Sequence, residues 1–183
     1  SGRHVHRSRS GHRRYVRGPV RHPFFRGLQA PLHISHRGGA ALYPENTMYA
    51  FERAVKLHRT DVIELDVHAS SDGELIVAHD DTLERCTDGA GSIGDMKWEE
   101  LTGLDAAFHF TPVGGQGTPL RGLGIKIPTL RQVLSALPDV RFNVELKSAA
   151  AVEPFVGLVK TEDCLHRLCI GSEHDAIAQE LAR

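Results

Sequence analysis

The sequence predicts an α/β fold organised around a parallel β-sheet. Short apolar runs of strand length alternate along the chain with segments whose apolar residues recur at helical spacing. Ionisable residues lie inside or just after several of these runs, where burial is unfavourable unless the charge is paired or bound to a metal. With 183 residues and 40% hydrophobic content, the chain is long enough to form the core of one domain.

The first predicted elements surround a glycine-containing loop. Residues 32–35 form a short strand that leads into the loop at 36–39, and Asn46 or Thr47 caps a helix that continues to about residue 59. The remaining predicted elements are strands at 62–67 and 75–79, a short helix near 98–104, a helix at 129–137, a strand at 141–146, a helix at 149–160 that Pro154 interrupts or delays, a strand at 168–171 and a helix at 175–182.

One predicted connection does not suit a wholly parallel sheet. Only about seven residues separate the strands at 62–67 and 75–79, fewer than the dozen or so that a parallel crossover needs. Asp72 and Gly73 in this connection favour a hairpin turn. The pattern alone leaves an antiparallel hairpin and two parallel neighbours equally open.

Charge is distributed unevenly along the chain. Residues 1–44 contain nine Arg and no acidic residue, whereas residues 45–183 contain thirteen Lys and Arg and twenty-three Asp and Glu. The segment 1–30 is basic and lacks a periodic apolar pattern, so we predict that it is disordered or not native to the domain. A nucleic-acid arm, a membrane-surface arm and a targeting peptide are the alternatives. A secretory signal peptide is disfavoured because no apolar region follows the basic residues.

Composition argues against several classes of protein. No run of about 18 apolar residues is present, so membrane insertion is not predicted. The basic segment has few aromatic residues to stack on bases, and we predict no nucleic-acid partner. The three cysteines fit no zinc-binding spacing, which favours free thiols in a reducing compartment. These features predict a cytoplasmic protein and leave its oligomeric state open.

Three carboxylates form a candidate metal site. Glu64 and Asp66 are two residues apart in a predicted strand, so both side chains leave the same face. Two carboxylates this close repel each other unless a cation lies between them. Glu145, at the end of a later strand, supplies a third ligand, and an all-oxygen set favours Ca²⁺ or Mg²⁺. The alternative is a group of solvent-exposed acids on an edge strand.

Two histidines and two basic residues complete the candidate site. His36 and His79 each close an apolar strand, and histidine titrates close enough to neutrality to act as an acid or a base. Arg37 and Lys147 bring positive charge to the same region, where they suit an anionic substrate. Glu45 and His68 are predicted supporting residues, and Asn46 is interpreted first as a helix cap.

Five stretches of the chain together resemble the glycerophosphodiester phosphodiesterase family over residues 32–147. They are His36-Arg37-Gly38, Glu45-Asn46-Thr47, Glu64-Leu65-Asp66-Val67-His68, His79-Asp80 and Glu145-Leu146-Lys147. The resemblance implies a (β/α)8 TIM-type barrel, which typically has about 250 residues. The present chain would be its N-terminal part, residues 31–183, apparently truncated after about the fifth strand and with an insertion at about 82–127. It also favours parallel pairing of the strands at 62–67 and 75–79.

The resemblance also implies a reaction and a role for each site residue. The family's metal ligands correspond to Glu64, Asp66 and Glu145, and its catalytic acid and base to His36 and His79. The implied activity is metal-dependent hydrolysis of small glycerophosphodiesters to sn-glycerol 3-phosphate and an alcohol. The alternatives are a phospholipase D-like or phosphoinositide-specific phospholipase-like enzyme that acts on intact lipids, or a catalytically inactive fragment.

Overall fold

A computed structural model describes residues 22–182 as a five-stranded sheet flanked by helices. The strands are β1 (Ile34–Ser35), β2 (Val62–Ala69), β3 (Leu75–Val77), β4 (Arg141–Leu146) and β5 (Leu168–Gly171). The helices are α1 (Met48–Lys56), α2 (Trp98–Leu101), α3 (Leu130–Ala136), α4 (Val152–Glu162) and α5 (Asp175–Leu181). Within residues 22–182, no helix has the length and apolarity needed to cross a membrane.

The main sheet is parallel, in the order β1-β2-β4-β5. All eight residues of β2 are buried, as expected for a central strand covered on both faces. The pairing of β2 with β4 places Asp66 directly beside Glu145. Among the described residues the sheet is open, which agrees with the prediction of part of a barrel.

The connection after β2 is an antiparallel hairpin, so the parallel pairing favoured by the family resemblance is wrong. Val67 pairs with Val77 and Ala69 with Leu75, and Gly73 takes a positive φ of 82° in the turn. The connection is too short for a parallel crossover, and the turn residues decide the outcome. Four of the five strands therefore run in the barrel direction, and β3 pairs only with β2 among them.

Helix α1 packs against the loop that follows β1. Thr47 caps this helix, because its Oγ1 accepts a hydrogen bond from the backbone N–H of Ala50 at 3.2 Å. Gly38 lies so close to the helix that a Cβ atom there would approach Phe51 Cδ1 to 2.6 Å. The glycine therefore allows the loop to lie flat on α1.

Two hydrophobic clusters stabilise the described residues. The larger lies between the sheet and its helices and includes Phe51, Phe142 and Phe155. The smaller lies beneath the segment 82–127. It consists mainly of Ile76, Leu83, Ile93, Leu101, Ala106, Ala107, Ile125 and Ile127. The segment after β3, although poor in regular elements, is thus built on buried apolar contacts.

The described residues before position 31, where the sequence places the start of the fold, also contact the domain. Residues Pro23–Phe25 form a 3-10 turn in which Phe24 is buried. Arg141 of β4 donates a hydrogen bond from Nε to the carbonyl oxygen of Phe24 at 2.6 Å. Burial of one aromatic ring and one long-range hydrogen bond explain this contact, which composition alone does not reveal. The rest of the basic segment, residues 1–21, lies outside the described residues.

Candidate active site

Three carboxylates converge at the carboxyl ends of β2 and β4. One oxygen of each of Glu64, Asp66 and Glu145 lies within 4.8 Å of the others. Asp66 is 1% exposed and Glu64 is 9% exposed, so these are not surface acids on an edge strand, as the alternative interpretation held. The parallel register of the two strands brings the three groups together.

The acidic cluster is compatible with a divalent metal ion. Burial raises the pKa of Glu64 above its ordinary value, and repulsion from Asp66 acts in the same direction. A cation between the carboxylates removes that penalty, and three oxygen ligands suit a hard cation. The residues present therefore fit the metal that the sequence predicts.

Arg37 connects the loop after β1 to this cluster. Its backbone N–H donates a hydrogen bond to Glu64 Oε2 at 2.9 Å. Its guanidinium donates from Nη1 to Glu45 Oε1 at 3.0 Å, and its Nε lies 3.4 Å from Asp66 Oδ2. Arg37 also has a left-handed backbone with φ of 51°, which is uncommon for a residue with a side chain.

Asn46 contacts the acidic cluster directly and is not the helix cap. Its side-chain amide donates a hydrogen bond from Nδ2 to Asp66 Oδ2 at 3.0 Å. Its backbone N–H donates to the carbonyl oxygen of Arg37 at 3.0 Å, and its φ is 56°. Arg37 and Asn46 thus contact each other, and both have the left-handed backbone conformation that is uncommon outside glycine. Such strained residues often cluster at functional sites. The sequence did not predict this contact, because asparagine at the start of a helix is usually an N-cap.

The three candidate histidines have different surroundings. His36 is 67% exposed, with Nε2 3.9 Å from Glu64 Oε2. His79 is partly buried, with Nδ1 2.6 Å from Asp80 Oδ1. His68 is buried, and its Nε2 lies 3.0 Å from the carbonyl oxygen of His79. His68 therefore contacts the backbone that carries His79 rather than the acidic cluster.

Lys147 lies beside the acidic cluster. Its Nζ donates hydrogen bonds to Glu145 Oε1 at 3.2 Å and to Glu173 Oε1 at 2.9 Å, and it lies 3.9 Å from Asp66 Oδ1. Burial acts to lower the pKa of Lys147, but the hydrogen bonds to Glu173 and Glu145 outweigh it and raise this pKa above its ordinary value. Glu173 was not predicted as a site residue, because it follows β5 and belongs to no motif in the sequence.

Arg85 and Asp80 also lie at the site, although no role was predicted for either from the sequence. Arg85 donates hydrogen bonds to both Asp80 and Glu45, two carboxylates that lie in different loops. Glu45 precedes Arg85 by 40 residues, so no local pattern could have indicated this contact. The position of Asp80 directly after His79 was the one available signal.

Comparison with known proteins identifies the family. Residues 36–177 match the glycerophosphoryl diester phosphodiesterase family. The chain belongs to this family. The matched range contains every residue of the candidate site, from His36 to Glu173.

Relatives within the family are longer than this chain. A glycerophosphodiester phosphodiesterase of Caldanaerobacter subterraneus is 42% identical over 125 residues, which cover 67% of this chain and 48% of that protein. Human lysophospholipase D GDPD1 is 40% identical over 119 residues, which cover 63% of this chain and 36% of that protein. The chain thus spans about half, or less, of the length of these relatives.

Solved structures of the family share the fold. The glycerophosphoryl diester phosphodiesterase domain of Rv2277c from Mycobacterium tuberculosis superimposes with a TM-score of 0.79 at 30% identity, covering 85% of this chain and 57% of that chain. A phosphodiesterase of Oleispira antarctica, solved with the product sn-glycerol-3-phosphate, has a TM-score of 0.68 at 28% identity and covers 83% and 61% of the two chains.

Proposed function

We propose that the protein carrying this sequence hydrolyses glycerophosphodiesters to sn-glycerol 3-phosphate and an alcohol, with Ca²⁺ or Mg²⁺ as cofactor. The observation that carries the proposal is the convergence of Glu64, Asp66 and Glu145 beside two cationic side chains. Family membership and the product bound to the Oleispira relative support the same reaction.

Glu64, Asp66 and Glu145 hold the metal in this proposal. When bound there, a divalent cation would supply Lewis acidity, which would polarise the phosphate and lower the pKa of the substrate's glycerol hydroxyl. Asn46 fixes one oxygen of Asp66 through its hydrogen bond, and the backbone N–H of Arg37 fixes one oxygen of Glu64. These contacts orient the carboxylates before any ligand arrives.

His36 and His79 exchange protons with the substrate. One histidine accepts the proton of the glycerol hydroxyl as its oxygen attacks phosphorus, and the other donates a proton to the oxygen of the departing alcohol. The product of this step is a cyclic glycerol phosphate. Water then opens the ring, with the histidines in exchanged roles, so that both return to their starting protonation states.

Arg37 and Lys147 bind the non-bridging oxygens of the phosphate in this proposal. Both side chains are largely buried, with 17% and 8% exposure respectively, and both reach the acidic cluster. Charge-assisted hydrogen bonds from such residues stabilise the extra negative charge that develops as the hydroxyl attacks.

The test is release of glycerol 3-phosphate from glycerophosphocholine by the protein carrying this sequence. We expect release to require a divalent metal, to stop with EDTA and to return when excess Ca²⁺ or Mg²⁺ is added. Undiminished release after exhaustive chelation would contradict the metal-dependent mechanism. No release with either metal in a folded protein would contradict the proposed reaction.

A second candidate substrate is a lysophospholipid. The structural reason is an exposed apolar pair beside the site: Val113 is 78% exposed and Leu42 is 53% exposed. A hydrogen bond of 3.2 Å from Val113 N to Ala41 O joins their loops. These loops border a groove of about 250 Å³ whose lining includes Glu45 and Phe110. The human relative named lysophospholipase D supports this candidate.

Paired substrates separate the two candidates. If the apolar pair contacts a lipid chain, the double variant Leu42→Ser and Val113→Ser loses activity on lysophosphatidylcholine and keeps its activity on glycerophosphocholine. An equal effect on both substrates, or none on either, would remove the lysophospholipid candidate.

A further inference from the structure

A branched network of hydrogen bonds joins one of the candidate catalytic histidines to the candidate phosphate-binding arginine. His79 contacts Asp80, Asp80 accepts from Arg85, and Arg85 donates to Glu45, which in turn accepts from Arg37. Arg85 is the centre of this network because, among residues 22–182, it is the one that contacts both carboxylates.

Arg85 uses its whole guanidinium for these two contacts. Its Nε and Nη2 donate to the two oxygens of Asp80 at 2.5 and 3.1 Å. Its Nη2 and Nη1 donate to the two oxygens of Glu45 at 2.7 and 3.0 Å. Paired arginine–carboxylate hydrogen bonds fix geometry as well as charge, because the guanidinium is planar and its donors are rigid.

The contact between Asp80 and His79 determines which ring nitrogen of His79 carries the proton. A carboxylate accepts hydrogen bonds, so the Nδ1 atom that lies 2.6 Å from Asp80 Oδ1 carries the proton of the neutral ring. Hydrogen bonds from Arg85 lower the pKa of Asp80 to about 2, which keeps this carboxylate ionised. Nε2 of His79 is then the nitrogen that remains for exchanging protons with substrate.

The hydrogen bond between Arg37 and Glu45 restrains the Arg37 side chain. Glu45 Oε1 accepts hydrogen bonds from both Arg85 Nη2 and Arg37 Nη1, at 2.7 and 3.0 Å. Although burial acts to raise it, contacts with Arg85 and Arg37 lower the pKa of Glu45 below its ordinary value. Glu45 therefore stays charged and holds Arg37 beside Asp66.

The backbone that carries Arg85 is itself well anchored. Leu83 is buried in the cluster beneath the segment 82–127, and its N–H donates to the carbonyl oxygen of Gly91 at 3.1 Å. The hydroxyl and N–H of Thr87 both donate to the carbonyl oxygen of Leu83, at 2.8 and 3.0 Å. The segment thus presents Arg85 from a rigid turn.

We propose that Arg85 is a positioning residue that acts through Asp80 on His79 and through Glu45 on Arg37. This role rests on the proposed diesterase function for its catalytic consequence. Its structural consequence, the orientation of the His79 ring, does not depend on that function.

The test compares Arg85→Met and Arg85→Lys with the control Arg131→Met. Arg131 is also a partly exposed arginine paired with a carboxylate, but its partner is Glu162, away from the site. Ring ¹H–¹⁵N correlation spectra of the protein carrying this sequence report which nitrogen of His79 carries the proton, with His79→Gln to assign its signals. Circular dichroism verifies that each variant is folded.

We expect Arg85→Met to shift His79 from the Nδ1–H form toward a mixture with the Nε2–H form. Its kcat on glycerophosphocholine should fall about 10–100-fold, the loss typical when a group that orients an active-site residue is removed. Arg85→Lys should restore part of both effects, and Arg131→Met should change neither.

Two outcomes would overturn the proposal. One is an unchanged His79 spectrum in folded Arg85→Met, and the other is an active protein whose kcat does not change with this substitution. A parent protein with no diesterase activity but a shifted His79 spectrum would instead contradict the proposed function and leave the positioning role in place.

Discussion

Two carboxylates at this site are buried, and each is stabilised by polar or cationic groups beside it. Asp66 is 1% exposed, yet it receives a hydrogen bond from Asn46 and lies near the cationic groups of Arg37 and Lys147. Glu64 has fewer such partners, and burial raises its pKa. A buried carboxylate whose charge is only partly paired is the group that gains most stabilisation when a cation binds.

Glu64→Gln is therefore expected to abolish stabilisation by metal and to leave metal-free stability unchanged or slightly higher. Excess Ca²⁺ at about 100 times its Kd should stabilise the protein carrying this sequence by about 2.7 kcal/mol. The measurement is the free energy of unfolding with and without Ca²⁺. Glu180→Gln, an exposed change on α5, is the control, and a retained metal effect in Glu64→Gln would contradict the ligand assignment.

His36→Ala and His79→Ala should each lower kcat by about 10²–10⁴-fold, the usual contribution of a positioned acid or base. Neither residue belongs to the acidic cluster, so stabilisation by Ca²⁺ should persist in both variants. Steady-state kinetics on glycerophosphocholine measure the loss, and the exposed His166→Ala is the control. Parental turnover in either variant would show that its histidine is not a catalytic residue.

Asp80 should contribute to stability only where it is ionised. Its pKa is lowered from 3.8 to about 2 by Arg85, so the stabilisation is fully present above pH 4 and is lost as pH falls through 2. We expect the parent to be more stable than Asp80→Asn at pH 5 and this difference to shrink between pH 4 and 2. A difference in unfolding free energy that is constant between pH 5 and 2 would contradict the stabilising contact between ionised Asp80 and Arg85.

The site residues lie at the ends of strands and in the turns that follow them, so the strands set their positions. Strands β2 and β4 set the distance between Asp66 and Glu145, and the turn after β1 delivers Arg37 to both Glu45 and Glu64. That turn depends on Gly38, where a Cβ atom would also approach Ala50 Cβ to 2.9 Å. Packing of a loop on a helix is therefore part of the site's construction.

Gly38→Ala should destabilise the chain more than Gly39→Ala. Both glycines have positive φ, so both substitutions carry backbone strain, but at Gly39 the nearest atom is 3.6 Å away. The overlap with Phe51 should add about 1–3 kcal/mol at Gly38. Urea denaturation of the two variants measures the difference, and equal losses would show that the loop relaxes away from α1.

Periodicity and turn residues predict most elements here because they are local signals. The bounds of β4 and β5 agree with the strands predicted at 141–146 and 168–171. The antiparallel pairing of β3 was indicated by the short connection and by Asp72 and Gly73, but the family resemblance outweighed these local signals. The acidic cluster was predictable from two strand ends, whereas Arg85 was not, because its partners lie in loops that only the folded chain brings together.

At the scale of the whole sheet, β5 is an open edge strand in the part of the chain that the structure describes. Beside β5 lies a groove of about 440 Å³ lined mainly by apolar residues, among them Phe24, Phe25, Leu168 and Leu181. Leu165, also in its lining, is 55% exposed. Open strand edges next to apolar surface favour association with other chains.

The isolated polypeptide 1–183 is accordingly expected to self-associate and to lack measurable diesterase activity. Light scattering after size-exclusion chromatography measures the association, and Cys169→Lys at an exposed position of β5 should reduce it by placing a charge at the open edge. A monomeric parent chain with a cooperative melt and metal-dependent turnover would show that the described strands suffice.

The β2–β3 hairpin also affects the order in which the site is assembled. Asp66 and His79 are brought together by a short turn, since the N–H of Ala78 donates to the carbonyl oxygen of Asp66 at 3.0 Å. Glu145 and Lys147 come much later in the chain, so during synthesis the acidic pair of β2 exists before its lysine does. If the proposed metal binds this acidic pair, it offsets the repulsion between Glu64 and Asp66 before Lys147 is in place, and we expect refolding to be faster with Ca²⁺ present. Equal refolding rates with and without the ion would show that the acidic pair gains its cation only after the sheet is complete.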